Sequence, residues 1–229
     1  MPLRTKWDPW PCTHACTAFF HIARREIDGL VPEPLVVEEV APGVAKIEVG
    51  FVRFRAGIHS LPPTDELAWG IAVKRVEGFG FAFYAMNIAA DNERFLHWNE
   101  QIGFRVHRPL AKFTTDIDRR SFHVEDPHGP ICTLRHQPAG SIPLPTFPVT
   151  TEVWTGSGPT LARRVFKWQG MAKVHFAASV ATTLYDDHPF FMGRKLSRAN
   201  PIPETVLSSE RIATKAAQLF TMPEPRVGV

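Results

Sequence analysis

A chain of 229 residues, 44% hydrophobic and 21% charged, has the composition of a soluble globular protein and enough length for one sizeable core, so residues 1–229 are expected to form a single domain. The net charge of +3, with basic residues scattered among 23 acids, argues against a nucleic-acid partner, and no apolar run approaches the ~20 residues of a membrane span. Three cysteines argue against a disulfide scaffold, and the polar segment from Met1 to Trp10 lacks the apolar stretch of a secretory leader, so the expected compartment is the cytoplasm.

In chain order, Val44–Phe54 alternates, with Ile47, Val49 and Phe51 on one face and Lys46 and Glu48 on the other, the pattern of a half-buried strand. Residues 69–76 and 79–88 read as two more strands, with Glu77-Gly78 turning between them. Asp91 is a suitable N-cap for a helix that carries Phe95, Leu96, Trp98 and Ile102 on one side and stops at Gly103. Ser121–Asp126 and residues 131–136 form a hairpin around Pro127-His128-Gly129-Pro130. Residues 149–154 and 173–181 are further strands, and Ser208 or Ser209 is expected to cap a last helix with Ile212, Ala216, Leu219 and Phe220 on one stripe. Strands that follow strands directly, punctuated by 21 prolines, favour an antiparallel sheet or closed barrel over alternating βαβ units.

Two polar groups invite a functional reading. With residue 126 opposite 131, His123, Glu125, Cys132 and His136 share a hairpin face. Histidine and cysteine ligate zinc, but no tight Cys-x-x-Cys pair is present and a one-residue slip scatters the set, so a solvated face is expected and no metal is assigned. Arg163-Arg164 with Lys167 reads as a charged, solvated turn rather than a phosphate site.

Six segments in the same order resemble the acetoacetate decarboxylase family: Val31-Pro32-Glu33-Pro34-Leu35, Ile47-Glu48-Val49, Asp65-Glu66 followed by Ile71-Ala72-Val73, Asp91-Asn92-Glu93 followed by Gly103-Phe104, Glu152-Val153-Trp154-Thr155-Gly156, and residues 203–209. The resemblance runs from about residue 18 to 220. It implies an α+β fold built on a mostly antiparallel, closed, cone-like β-barrel with flanking helices, an internal pocket and a homo-oligomer. In the family a lysine closes the Gly-Phe-Pro-Lys segment and forms a Schiff base with the substrate. Here that position falls on Val106, or on His107 with a shifted gap, and neither forms a Schiff base. The family's pocket arginine falls in the region of Cys12-Thr13-His14 and is absent. The next lysine along the chain, Lys112, lies about 20 Å of extended strand beyond Val106.

The family's two pocket carboxylates match Glu48 and Glu66. The resemblance therefore implies acid–base chemistry without a Schiff base and without a cofactor. Glu66 is the expected proton shuttle, Glu48 its charge partner, His107 or Arg105 the helper at a carbonyl, and Phe83 and Trp69 the expected apolar ligand contacts. The expected activity is that of a lyase, isomerase or cyclase on a keto or polyketide-like small molecule in specialised or degradative metabolism. The alternative is a non-catalytic binding or scaffold protein on the same barrel, which loss of both lysine and arginine would favour.

Overall fold

A computed structural model describes residues 8–55, 61–76, 80–116, 121–136, 141–176, 180–196, 205–209, 212–216 and 220–221. The strands are β1 (Asp8–Ala23), β2 (Glu39–Ala41), β3 (Val44–Phe54), β4 (Thr64–Ala72), β5 (Gly80–Ala90), β6 (Lys112–Asp116), β7 (Ser121–Asp126), β8 (Gly129–His136), β9 (Ser141–Thr155), β10 (Ala162–Phe176), β11 (Val180–Leu184), β12 (Thr205–Ser209), β13 (Ile212–Ala216) and β14 (Phe220–Thr221). The one α-helix among the described residues is α1 (Glu93–Gln101).

The larger sheet runs β12-β1-β13-β10-β9-β5-β4-β3-β2, with β14 on β10. Strand β1 also pairs with β3 along its length, from Cys12↔Phe54 to Ala23↔Val44. The β5–β9 ladder is parallel and every other described ladder is antiparallel. A second sheet, β11-β8-β7-β6, covers one face of the first. Between the two sheets lie Ile47, Phe51 and Trp69 from the large sheet and Phe122, Ile131 and Leu134 from the small one. The alternation read from β3 holds: Ile47, Val49 and Phe51 enter this core, and Lys46 and Glu48 lie on the opposite face.

Several expectations are revised. The final helix is instead the strand pair β12 and β13, each bonded to both β1 and β10. Its β-branched residues Thr205, Val206, Ile212 and Thr214 suit a strand, and pairing there satisfies backbone groups of β1 and β10 that a helix would leave to solvent. The cap of α1 is Asn92, whose Oδ1 accepts from the backbone N–H of Arg94 and Phe95; Asp91 instead accepts from the N–H of Asp65. Gly103 ends the helix at a φ of 91°, as its backbone freedom predicts. Arg163 and Arg164 lie buried on β10 rather than on a solvated turn. The Glu77-Gly78 turn lies outside the described residues.

The β7–β8 hairpin pairs Asp126 with Gly129 and His123 with Thr133, with a bulge after Val124. This register sends Cys132 into the core beside Val124 while His123 bonds Thr133 on the other face, so the zinc set considered for this hairpin is dispersed. The His136 side chain lies outside the described residues.

Ile131 is fully buried between the sheets. Ile131→Ala is expected to cost about 2–5 kcal/mol, measured as a lower denaturant midpoint with an unchanged m-value.

Candidate functional site

The face of the large sheet turned away from the small one has an unusual floor. In register, Glu48 of β3 lies opposite Gly70 and Val52 lies opposite Glu66, while Gly70 and Ala68 of β4 lie opposite Ala85 and Ile88 of β5. Between the two acids the side chains are therefore Gly50, Ala68, Gly70 and Ala85, all small. Around them stand Phe19, Phe81, Phe83, Val52, Val106 and Val153. Although they are central in the sheet, Glu48, Gly50, Glu66, Ala68 and Ala85 are only half-buried, so this face holds a recess between the acids. A side chain at Gly70 would fill it: an added Cβ would lie 3.0 Å from the Tyr84 carbonyl oxygen and 3.6 Å from Glu48 Oε1.

Among the described residues neither Glu48 nor Glu66 has a hydrogen-bond or ion-pair partner. Burial pushes the Glu48 carboxyl up to about 8, against the pull of Lys46 and with a further push from the Glu66 charge. Burial takes Glu66 to about 7. Their register positions lie about 13 Å apart along the strands, yet the two charges interact across the recess. Burial thus brings both carboxyls close to neutral pH.

The remaining sequence-predicted residues separate. Phe83 is buried beside Glu48 and stacks on Phe19, with centroids 6.0 Å apart, so it lines the recess. Trp69 points into the core between the sheets, where its Nε1–H donates to the Phe190 carbonyl at 3.1 Å. Residues 105–107 run beside β5, with the Ile88 N–H donating to Arg105 O and the His107 N–H to Ile88 O. Val106 thereby packs on the recess side with Ile88, and His107 turns to the other face. Arg105 is exposed and reaches Met192 Sδ. Lys112 is exposed and pairs with Glu125 at 2.8 Å.

Two basic groups on this face have no place in the site on sequence alone: Lys46 reads only as the polar side of its strand, and Arg164 as part of a solvated turn. Lys46, two residues before Glu48, places its Nζ 5.8 Å from the Phe19 ring and 5.9 Å from the Phe81 ring. Arg164 on β10 is buried against Phe104 and donates to the carbonyl of Ile102 at the end of α1, a favourable place for a cation. Burial lowers its pKa to about 10, so it stays charged. For Lys46 the signal was present, since it shares the parity of Glu48. For Arg164 no local pattern showed it.

His107 belongs to a second cluster. Asp126, with no exposed side-chain surface, accepts from His107 Nε2 at 2.6 Å, from His188 Nε2 at 2.8 Å and from the His128 backbone N–H at 2.6 Å. Burial would raise the Asp126 carboxyl, but these donors outweigh it and hold it below the usual carboxylate range. Burial likewise lowers His107, with Asp126 opposing. The three side chains could surround a metal ion, since their ligand atoms lie within 4.8 Å of one another. The hydrogen bonding favours another role. His188 Nδ1 accepts the Phe190 N–H at 3.2 Å, which puts the ring proton on Nε2, facing Asp126. A metal on Nε2 would force a proton onto Nδ1, directly against that N–H donor. The cluster is a hydrogen-bonded junction between the small sheet, the edge of β5 and the turn at residues 189–191.

No protein-family model matches the chain, and no curated protein matches it. Solved structures do. Acetoacetate decarboxylase from Legionella pneumophila subsp. pneumophila str. Philadelphia 1 superposes with a TM-score of 0.63 at 10% identity, covering 96% of this chain and 92% of that one. Another acetoacetate decarboxylase structure gives 0.62 at 13% identity, over 96% of this chain and 94% of that one. The enduracididine biosynthesis enzyme MppR, complexed with pyruvate, gives 0.60 at 9% identity, over 95% and 92%. The chain thus has the fold of the acetoacetate decarboxylase structures, mostly sheet with one α-helix among the described residues. No helix among the described residues is long and apolar enough to cross a membrane.

Two pH responses follow. The raised pKa values of Glu48 and Glu66 lie above the unfolded value of about 4.3, so their contribution is complete below pH ~4 and is lost as pH rises through 7 to 8. Glu48→Gln and Glu66→Gln should therefore raise the melting temperature by about 2–4 °C at alkaline pH and leave it nearly unchanged at pH ~4, read by calorimetry. The depressed Asp126 and His107 act in the other direction: the His107 contribution is present above the unfolded histidine value of about 6.5 and is lost as pH falls below it, and the Asp126 contribution is present above the unfolded carboxyl value of about 3.9 and is lost only in stronger acid. Asp126→Asn should cost about 1–3 kcal/mol at neutral pH and flatten the acid limb of the stability profile.

Proposed function

We propose that the protein is a small-molecule enzyme in which Glu66 and Glu48 act as an acid–base pair on a keto compound, without a Schiff base. The observation that carries this reading is the pair of unpartnered, half-buried carboxylates poised at about 7 and about 8 on a floor cleared by Gly50, Ala68, Gly70 and Ala85. An unpaired buried acid costs stability, so its retention points to use.

Near neutrality Glu66 is the better base and Glu48 the better acid. Glu66 removes a proton from the carbon next to the carbonyl while Glu48 delivers one to the carbonyl oxygen, forming an enol. Reversal at another carbon gives isomerisation, and loss of a neighbouring hydroxyl as water gives dehydration. Val106 supports the exclusion of a Schiff base at the family's lysine position: an apolar side chain occupies the recess side there, and the alternative, His107, is committed to Asp126. His107, Arg105 and Trp69 are accordingly given no part in the chemistry, and Phe83 is kept as a wall. MppR bound to pyruvate, on the same fold, supports a keto ligand.

The pairing of β1 with β3 on one side and with β12 and β13, which return to β10, on the other supports a large sheet closed as a barrel around this recess. We further propose that the chain acts as a single cytoplasmic domain in a homo-oligomer, in specialised or degradative metabolism.

Glu66→Gln should abolish turnover of a bound keto compound, by at least about 100-fold, while leaving the circular dichroism spectrum unchanged. Ala68→Phe should fill the floor and remove the thermal stabilisation that the same compound gives the wild type. Full activity in Glu66→Gln would overturn the acid–base assignment. Binding without turnover in the wild type would favour a carrier on the same fold.

A further inference from the structure

The recess is polarised along the strands. On β3 the residues of this face run Lys46, Glu48, Gly50, Val52, and on β4, Glu66, Ala68, Gly70, Ala72 in the opposite direction. Lys46 therefore lies at one end, Glu48 about 7 Å further along and Glu66 towards the other end. Lys46 is held rather than free. Its side chain is 15% exposed, and its Nζ lies over both Phe19 and Phe81, which stack on each other and on Phe83.

The ammonium is poorly satisfied. Among the described residues its one acidic neighbour within ion-pair range is Glu38 Oε1 at 3.9 Å, beyond hydrogen-bond reach and on an exposed side chain. Among the described residues Lys46 donates no hydrogen bond, although an ammonium carries three donors. Burial holds the Glu48 carboxyl well above the usual carboxylate range in spite of the pull of Lys46, so it is a weak counter-charge for the ammonium. A partly desolvated cation with unfilled donors, beside an aromatic wall and at the end of a small-floored recess, suits a ligand carboxylate: a charge-assisted bond there would be strong, and the rings would cover the adjoining carbon chain.

We propose that Lys46 is the docking point for a carboxylate and that the ligand is an oxo acid whose carboxylate is separated from the reacting carbonyl by two or more methylenes. The spacing along β3 sets this requirement: an anion seated at Lys46 leaves the carbonyl at Glu48 only if the chain between them bridges several ångströms. Pyruvate is too short to meet both groups. The inference rests on the recess described under the proposed function and names the ligand class for that same site. Lys46 is assigned here to binding, with its amine not entering covalent chemistry.

The test is titration calorimetry at neutral pH with levulinate, its neutral methyl ester and pyruvate, on wild type, Lys46→Met and Lys46→Arg. Wild type is expected to bind levulinate more tightly than either the ester or pyruvate. Lys46→Met should weaken levulinate by about 10–100-fold and leave the ester unchanged, and Lys46→Arg should recover most of the loss. Equal loss of acid and ester in Lys46→Met, or no loss of either, overturns the assignment, as does pyruvate binding as tightly as levulinate. Borohydride reduction with levulinate present should leave the Lys46 peptide mass unchanged; an added mass there would make Lys46 a nucleophile and also overturn it. If the ester binds wild type and Ala68→Phe abolishes that binding, the recess stands whatever Lys46 does. If neither levulinate nor the ester binds wild type, the recess reading fails and this inference with it.

Discussion

The constraint on which the structure depends is that β3 and β4 are used on both faces. Alternation sends Ile47, Val49, Phe51, Leu67, Trp69 and Ile71 into the core between the sheets, where each fully buried side chain contributes roughly 1.5–3 kcal/mol of hydrophobic stabilisation. The same alternation delivers Glu48, Gly50, Glu66, Ala68 and Gly70 to the other face. Two acids without a partner among the described residues are tolerated there because the first face is so heavily covered. The register is tightly specified in consequence, since a slip of one residue would put both carboxylates into the apolar core.

The Asp126 junction holds the second sheet in place. Three donors from separate segments converge on one carboxylate, and the turn at residues 189–191 joins in through Phe190, whose carbonyl accepts from both Trp69 Nε1 and Asn87 Nδ2. A bulge in β5 lets Met86 enter the inter-sheet core while Asn87 reaches that carbonyl. This places His107 in structural service on one side of its segment, and Val106, its neighbour, on the recess side. Adjacent residues in sequence thus lie on opposite faces and in different packing environments.

Parts of this were legible beforehand. The strand Val44–Phe54, the helix ending at Gly103 and the placement of Glu48 opposite an apolar face follow from period-2 and period-3.6 patterns that are strong in those segments. Glu66 was reached only through resemblance, because an acid in a strand reads equally well as solvated. Lys46 shares the parity of Glu48, but nothing local shows that two phenylalanines from β1 and β5 would close over it. The buried Arg163 and Arg164 were misread because a pair of arginines after a Gly-rich turn is ordinarily solvated; here Glu152, on the neighbouring strand β9, lies 3.4 Å from Arg163. The misread final helix has the same origin: a stripe at helical spacing was outweighed by the open backbone of β1 and β10.

By itself, the sequence determined the alternation of the central strands, the α1 boundaries to within a residue and, through a resemblance, the mostly-sheet fold that the solved structures share. These are properties of residues near one another in the chain, or of their order along it. Only the tertiary structure decided which face of each strand meets the second sheet, that His107 belongs with Asp126 and His188, and that Glu48, Glu66 and Lys46 share one recess. Those outcomes depend on register and on which strands become neighbours. Both are fixed by contacts between residues far apart in sequence, such as Phe190 with Trp69 and Asp126 with His188, that no local pattern encodes.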